Sequence, residues 1–343
     1  MTMTRYRVSR RAALGLGVAA GASVLVRLPG KTARAQTLEK LSFLTSWRAQ
    51  AEHGGYYQAV AAGLYRKVGI DCEIRMGGPQ VSGSQLLLGG RVDMLMGSGL
   101  EALNYVREDL PFLCIASIFQ KDPQVLIAHA NTGVEGFAQL KGRTILVGAT
   151  GRVTYWPYLK AKFGLSDDQL RPYTFNLAPW LADKYLVQQG FISSEPYAMR
   201  LAGADPLPLL IADAGFDNYN TTIALSKKLA TEKRDLVQRF VDATLEGWSQ
   251  YLKGGAAIAE ANALILKDNP EMTQDKIDYA IKVMNANGLV ASGDALKLGI
   301  GAMTDARWAD FYAKMADVGV VPKGLDASKA YSLDFVNKGI GKA

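Results

Sequence analysis

The chain is poor in the side chains that most enzyme chemistry needs. Its 343 residues hold two cysteines and two histidines. Neither cysteine belongs to a CxxC pair, and no His or Cys recurs at a metal-binding spacing, which argues against structural zinc. HExxH, GxSxG and Walker-type loops are missing, so hydrolysis and phosphate transfer have no visible machinery. Cys72 and Cys114 lie 42 residues apart in apolar, strand-like contexts. That setting predicts two buried thiols rather than a disulfide. Acidic residues are absent from the first 35 positions, which carry seven Lys/Arg (Arg5, Arg7, Arg10, Arg11, Arg27, Lys31, Arg34). The remaining 32 basic residues face 32 acidic ones, so the whole formal charge of +7 belongs to this leader. The body is neutral, and no nucleic-acid partner is implied.

The order of residues in the leader reads as an export address. A basic stretch ends in Ser9-Arg10-Arg11, an apolar run extends from Ala12 to Val26, and Ala33-Arg34-Ala35 places small residues at −3 and −1 of a cleavage site. The 15-residue run falls short of the roughly 20 residues that cross a bilayer. A cleaved, twin-arginine-type signal over residues 1–35 is expected, giving a periplasmic protein that begins at Gln36. An uncleaved anchor is the competing reading. No later segment is apolar enough to span a membrane.

The body alternates strand-like and helix-like segments. Leu41–Leu44, Cys72–Met76, Val92–Met96 and Leu113–Phe119 read as strands, separated by helical patterns over 57–68, 81–88 and 100–107. This is an α/β pattern that predicts a parallel, doubly wound sheet. After a strand at Gln124–Ala128 the alternation restarts, with strands at Thr144–Val147, Arg171–Phe175, Phe191–Ser194 and Leu207–Ile211 and helices at Leu181–Gln189 and Tyr197–Leu201. Thr221–Leu225 is one more extended segment, and the last part of the chain is helical. Two α/β units in series predict two lobes around a cleft: a first lobe over 36–127, a second over 128–221, and a return to the first over 222–343. Gln124–Ala128 and Thr221–Leu225 are the natural crossings.

Ligands of open α/β sheets bind beyond the carboxyl ends of the strands. The residues just past each strand therefore form the candidate site. Trp47 comes after the first, with Glu52-His53-Gly54-Gly55-Tyr56-Tyr57 at the next helix start. Gly77-Gly78-Pro79-Gln80 comes after the second, Gly97-Ser98-Gly99 after the third, and Phe119-Gln120-Lys121-Asp122 after the fourth. In the second unit, Gly148-Ala149-Thr150-Gly151-Arg152 leads into Tyr155-Trp156, and Ser193-Ser194-Glu195-Pro196 ends a strand. Small residues let backbone N–H groups approach a ligand, and Trp47, Tyr56, Phe119, Tyr155 and Trp156 offer flat faces. The Glu195 carboxylate accepts N–H donors, and Pro196 predicts an extended backbone at Glu195. Each feature has a plainer reading. Singly, the glycine loops read as tight turns. His53 reads equally as ligand contact or surface cap, Trp156 equally as site or core, and His129 as structural.

Several stretches resemble the NMT1/THI5-like family, periplasmic solute-binding proteins of ABC transporters. They are Trp47, Glu52–Tyr57 running into Ala61-Ala62-Gly63-Leu64-Tyr65, Gly190–Tyr197, Asp213–Phe216 with Tyr219–Thr222, and Leu236–Ala243 with Glu246-Gly247-Trp248. The resemblance implies a two-lobed type II periplasmic-binding-protein fold and a monomer that captures a small molecule for an inner-membrane permease, with no cofactor. Members bind thiamine-pyrimidine precursors; relatives bind riboflavin, aliphatic sulfonates, taurine, nitrate or aromatic acids. By that likeness Trp47 and His53 line one lobe, and Tyr155, Trp156 and Glu195 the other. The site expected here comprises these with Tyr56, Gly97, Ser98, Phe119, Gln120 and Arg152. A flat nitrogen heterocycle is the first expectation. An anion anchored by Arg152, or riboflavin, is the alternative. Eukaryotic members are pyrimidine synthases with a cysteine-rich motif, which this chain lacks.

Overall fold

The computed structural model describes residues 37–342 apart from 79, 80 and 175. The expected leader lies outside the described residues. Two five-stranded sheets organise the body. The strands are β1 Glu39–Leu44, β2 Ile70–Arg75, β3 Met94–Ser98, β4 Phe112–Phe119, β5 Gln124–His129, β6 Ile145–Val147, β7 Leu170–Pro172, β8 Val187–Phe191, β9 Pro206–Leu210 and β10 Asn220–Ser226. The first sheet has the order β2-β1-β3-β10-β4 and the second β7-β6-β8-β5-β9.

Each sheet is mixed, not wholly parallel as the local alternation predicts. Strands β1–β2, β1–β3, β6–β7 and β6–β8 run parallel. In the first sheet β10 inserts antiparallel between β3 and β4. In the second β5 inserts antiparallel between β8 and β9. A partner that arrives a hundred residues later leaves no trace in local periodicity. What periodicity does show is burial. The edge strand β2 is buried only at Ile70 and otherwise half-buried or exposed, while β3 is buried throughout and sits centrally.

Other expectations shift by a few residues or change type. The pattern over 181–189 is not one helix. A short helix Ala178–Ala182 ends at Asp183, and Val187–Phe191 is the strand β8. The segment after Phe191 turns at once into the helix Glu195–Leu201, with Pro196 in its first turn, where a missing N–H costs nothing. Glu195 is thus helical, not extended. The helix expected over 57–68 is cut at Gly63, whose φ of 64° separates Gly54–Ala61 from Leu64–Lys67. Among the described residues no helix is long and apolar enough to cross a membrane.

The 18-residue helix Arg234–Tyr251 packs its apolar face on the helix Gly54–Ala61. Their approach is so close that a Cβ on Gly54 would fall inside the Tyr251 ring and one on Gly55 inside the Trp248 indole. Tyr56 stacks on Phe43 at 4.2 Å and meets the edge of Trp248, as does Phe119. The C-terminal segment returns to the first sheet through bridges at Ser117–Gly301 and Cys114–Tyr331. Both cysteines are free thiols; Cys114 is buried as expected, while Cys72, on the edge strand β2, is only half-buried.

The chain crosses between the sheets twice, from β4 to β5 and from β9 to β10. Both crossings meet at one carboxylate. Asp122, 1% exposed, accepts from Gln124 N at 2.9 Å, from Asn218 Nδ2 at 2.7 Å and from Asn220 Nδ2 at 2.9 Å. Further contacts join segments around the two sheets. The Ser193 hydroxyl donates to Glu52. Tyr197 stacks on Tyr279 at 4.4 Å. Phe216 lies between Tyr158 and Phe311.

Candidate functional site

A space of about 490 Å³, lined from both sheets, opens where strands of both end. Leu44, Thr45 and Ser46 reach it from the end of β1, Met96, Gly97 and Ser98 from β3, Ala149 and Thr150 from beyond β6, and Phe191 from β8. Ser46, Gln124, Thr150, Tyr155 and Phe191 also line a smaller space of about 100 Å³, which adds Trp47, Gln189, Gly190 and Glu195. A third, of about 170 Å³, continues past Trp47 and Glu195 to Glu52, Tyr173 and Ser193. Shared residues make these one cleft in three chambers.

Glu195 is held by its neighbours. Its Oε2 accepts from Phe191 N at 2.8 Å, and its Oε1 accepts from the Tyr173 hydroxyl at 3.3 Å. Gly190 makes the fit possible, because a Cβ there would sit 2.9 Å from both the Glu195 Cβ and Oε2. Burial raises the Glu195 pKa to about 7; the Phe191 amide opposes this and nearby Glu52 adds to it. Tyr155 is fixed by donating to Gln189 Oε1 at 2.9 Å, the same oxygen that accepts from Gly148 N at 2.7 Å.

Three acids complete the walls: Glu52 and Asp122 lie in the strand-end segments marked by the sequence but are not among the expected site residues, and Glu101 lies in none of those segments. Glu101 lines the large chamber, and burial raises its pKa. Asp122 and Glu52 are raised for the same reason. None of the four carboxylates, Glu195 included, has an ion-pair partner among the described residues. Among the described residues, no Lys, Arg or His lines the two inner chambers; Arg48 and Lys276 reach only the outer one. The spacing Ser98-x-x-Glu101 reads as a helix cap, and Ser98 Oγ does accept from Glu101 N at 3.3 Å. That capping role hides the carboxylate's position in the chamber.

Of the expected site residues, the fold brings Trp47, Gly97, Ser98, Tyr155 and Glu195 to the cleft. It places the others elsewhere. His53 is fully buried and lines none of these three chambers, and burial pushes its pKa down to about 3. Tyr56 and Phe119 are core around Trp248. Trp156 turns its indole away to donate to Asp167 Oδ1 at 2.8 Å. Gln120 donates to the Ser117 and Ala302 carbonyls and lines a more open hollow that meets the large chamber at Asp122. Arg152 donates to the Val147 carbonyl at 3.3 Å and reaches no chamber. His129 stacks on Trp180 at 3.5 Å, a structural role as expected.

Two mixed sheets of matching strand order, their strand ends facing a shared cleft, define a periplasmic-binding-protein fold of type II. The chain belongs to the NMT1/THI5-like family, whose model matches residues 50–255. It is similar to the riboflavin-binding protein RibY of Chloroflexus aurantiacus, 24% identical over 88% of each chain. It also resembles the 4-amino-5-hydroxymethyl-2-methylpyrimidine phosphate synthase of Schizosaccharomyces pombe, 29% identical over 37% of each. The solved periplasmic aliphatic sulphonate binding protein SsuA of Escherichia coli shares the fold, with a TM-score of 0.61, 13% identity, and 85% of this chain and 91% of the other covered.

Proposed function

We propose that this protein is the solute-binding component of an ABC importer, exported to the periplasm by its basic leader, and that it captures a small flat nitrogen heterocycle. In this reading the two lobes, expected from the sequence as 36–127 with 222–343 and 128–221, follow the two sheets, so that all of β5 goes with the second and all of β10 with the first, and they close around the ligand as a monomer that then meets an inner-membrane permease. The observation that carries the ligand class is the chemistry of the inner chambers. They are lined by the rings of Trp47, Tyr155 and Phe191 and by the half-buried Glu195, and by no cationic side chain among the described residues. Flat faces favour stacking, and a desolvated carboxylate favours N–H donors. Closure requires that the ligand bind the closed form better than the open one.

An anionic solute finds less support. Arg152, the residue expected to anchor it, is engaged with Val147 O outside the chambers, and a sulfonate in the large chamber would face Glu101 and Asp122. A synthase role finds less still, because the cysteine-rich motif of the eukaryotic synthases is missing from a chain with two separate cysteines. Native mass spectrometry of the protein purified from its host tests the reading by weighing the retained molecule. A nitrogen heterocycle supports it, and a sulfonate or aromatic carboxylate overturns it. Incubation with pyridoxal phosphate, which should leave no lysine adduct, tests the synthase alternative.

A further inference from the structure

The segment that carries Glu195 also reaches out of its own half of the molecule, on both sides of that carboxylate. Just before it, Ser193 donates to Glu52 of the short 3-10 helix Ala51–His53, and both residues are sealed from solvent. Just after it, the helix Glu195–Leu201 packs on β8 and β9 and also meets the helix Gln274–Ala286. The Tyr197 ring stacks on the Tyr279 ring, with centroids 4.4 Å apart and planes inclined by 16°. The Tyr197 hydroxyl donates to Asp275 Oδ2 at 3.0 Å, and Arg200 Nη1 donates to the Tyr279 hydroxyl at 2.9 Å.

The two helices are anchored separately. Met199 belongs to a small cluster with Val125, Ile127, Trp180 and Leu210, all near the second sheet. Ile277, Ala280, Ile281 and Met284, spaced i, i+3, i+4, i+7, sink the other helix into the main core. That spacing turns Asp275 and Tyr279, an i, i+4 pair, to the opposite side. The helices therefore touch through their outer faces, and neither core requires that they do.

Resting on the reading above, we infer that this contact is a clasp that holds the cleft shut, with Tyr279 as a positioning residue for Glu195. Tyr279 lines none of the three chambers. It acts through the stack on the helix whose first residue supplies the carboxylate. Closing the cleft and bringing Glu195 into the chamber with Trp47 are then one motion. The clasp lowers the difference in affinity between closed and open forms that the ligand alone must supply. Tyr197 and Tyr279 are half-buried, while Asp275 and Arg200 are exposed, where water competes for their hydrogen bonds. The stacked rings carry the grip.

Small-angle scattering of the mature chain, stripped of ligand by unfolding and refolding, reads the clasp with no ligand present. Calorimetry with riboflavin and with cytosine as probes reads its effect on binding. Tyr279→Ala should enlarge the radius of gyration and weaken whichever probe binds by about three- to tenfold. Tyr279→Phe keeps the ring and gives up only the Arg200 bond, so it should keep the wild-type radius and hold affinity within about twofold. Tyr197→Leu removes the same stack from the other helix and should reproduce Tyr279→Ala, which keeps the test decisive if one variant does not fold. An unchanged radius or an unchanged affinity overturns the clasp. So does a variant more compact or tighter-binding than the wild type, since the contact would then prop the halves apart. If neither probe binds, the heterocycle reading falls and the radius alone decides the clasp.

Discussion

Asn218 donates to Asp122 at 2.7 Å, and its side-chain oxygen accepts from Leu100 N at 3.0 Å. One amide therefore links the start of the β5 crossing to the helix Gly99–Arg107 that carries Glu101. Next to it, Thr221 holds a φ of 50°, an outlier for a β-branched residue, where β10 bulges. Its N–H donates to Asn220 Oδ1 at 2.6 Å, while Asn220 Nδ2 donates to Asp122. The strained backbone is held by the same hub that joins the crossings.

Replacing Asp122 with Ala removes three hydrogen bonds and leaves two buried amides without an acceptor. The cost expected in urea denaturation is about 2–4 kcal/mol. A loss below about 1 kcal/mol would mean that the crossings do not depend on this carboxylate.

The raised pKa of Glu195 gives the ligand-free protein a defined pH response. The folded state keeps a proton between the ordinary value near 4.5 and about 7, while the unfolded chain has released it. The native state binds more protons in that window, so stability falls as pH rises through it. Burial raises Glu52, Glu101 and Asp122 in the same direction. Melting temperature should decline from about pH 4.5 to about pH 7, and Glu195→Gln should flatten part of that slope. Ligand affinity should move oppositely, since N–H donors prefer the ionised carboxylate. Calorimetry at pH 6 and pH 8 reads that difference, and an unchanged constant refutes the assigned partner.

Trp47 and Arg152 separate the heterocycle from the anion. Trp47→Ala should weaken the retained ligand by at least about tenfold, the loss of a stacked face. Arg152→Ala should leave affinity within about twofold. The reverse ranking, read by the same titration, would restore the anionic reading.

Gly55 and Trp156 are expected to act on stability without touching the ligand. Gly55→Ala drives a methyl into the Trp248 indole and should destabilise by about 1–3 kcal/mol. Trp156→Phe gives up the bond to Asp167 and should cost about 1 kcal/mol. A change in affinity larger than the change in stability, in either variant, would place that residue in the site after all.

The sequence by itself determined the α/β class, most strand positions and the cleft at the strand ends, because burial and turn chemistry are local. It also marked Trp47, Tyr155 and Glu195, which lie next to the strand ends they succeed in the chain. Only the tertiary structure decided what the neighbouring residues do. The Gly54-Gly55 pair reads equally as room for a ligand or room for a helix, and it is Trp248, almost two hundred residues on, that fills the space. Antiparallel β10 and β5 are set by partners distant in sequence. Glu101 and Asp122 look like a cap and a turn until both sheets are in place. A carboxylate's environment comes from groups brought together by folding, so desolvation, and with it the charge of the cleft, cannot be read along the chain.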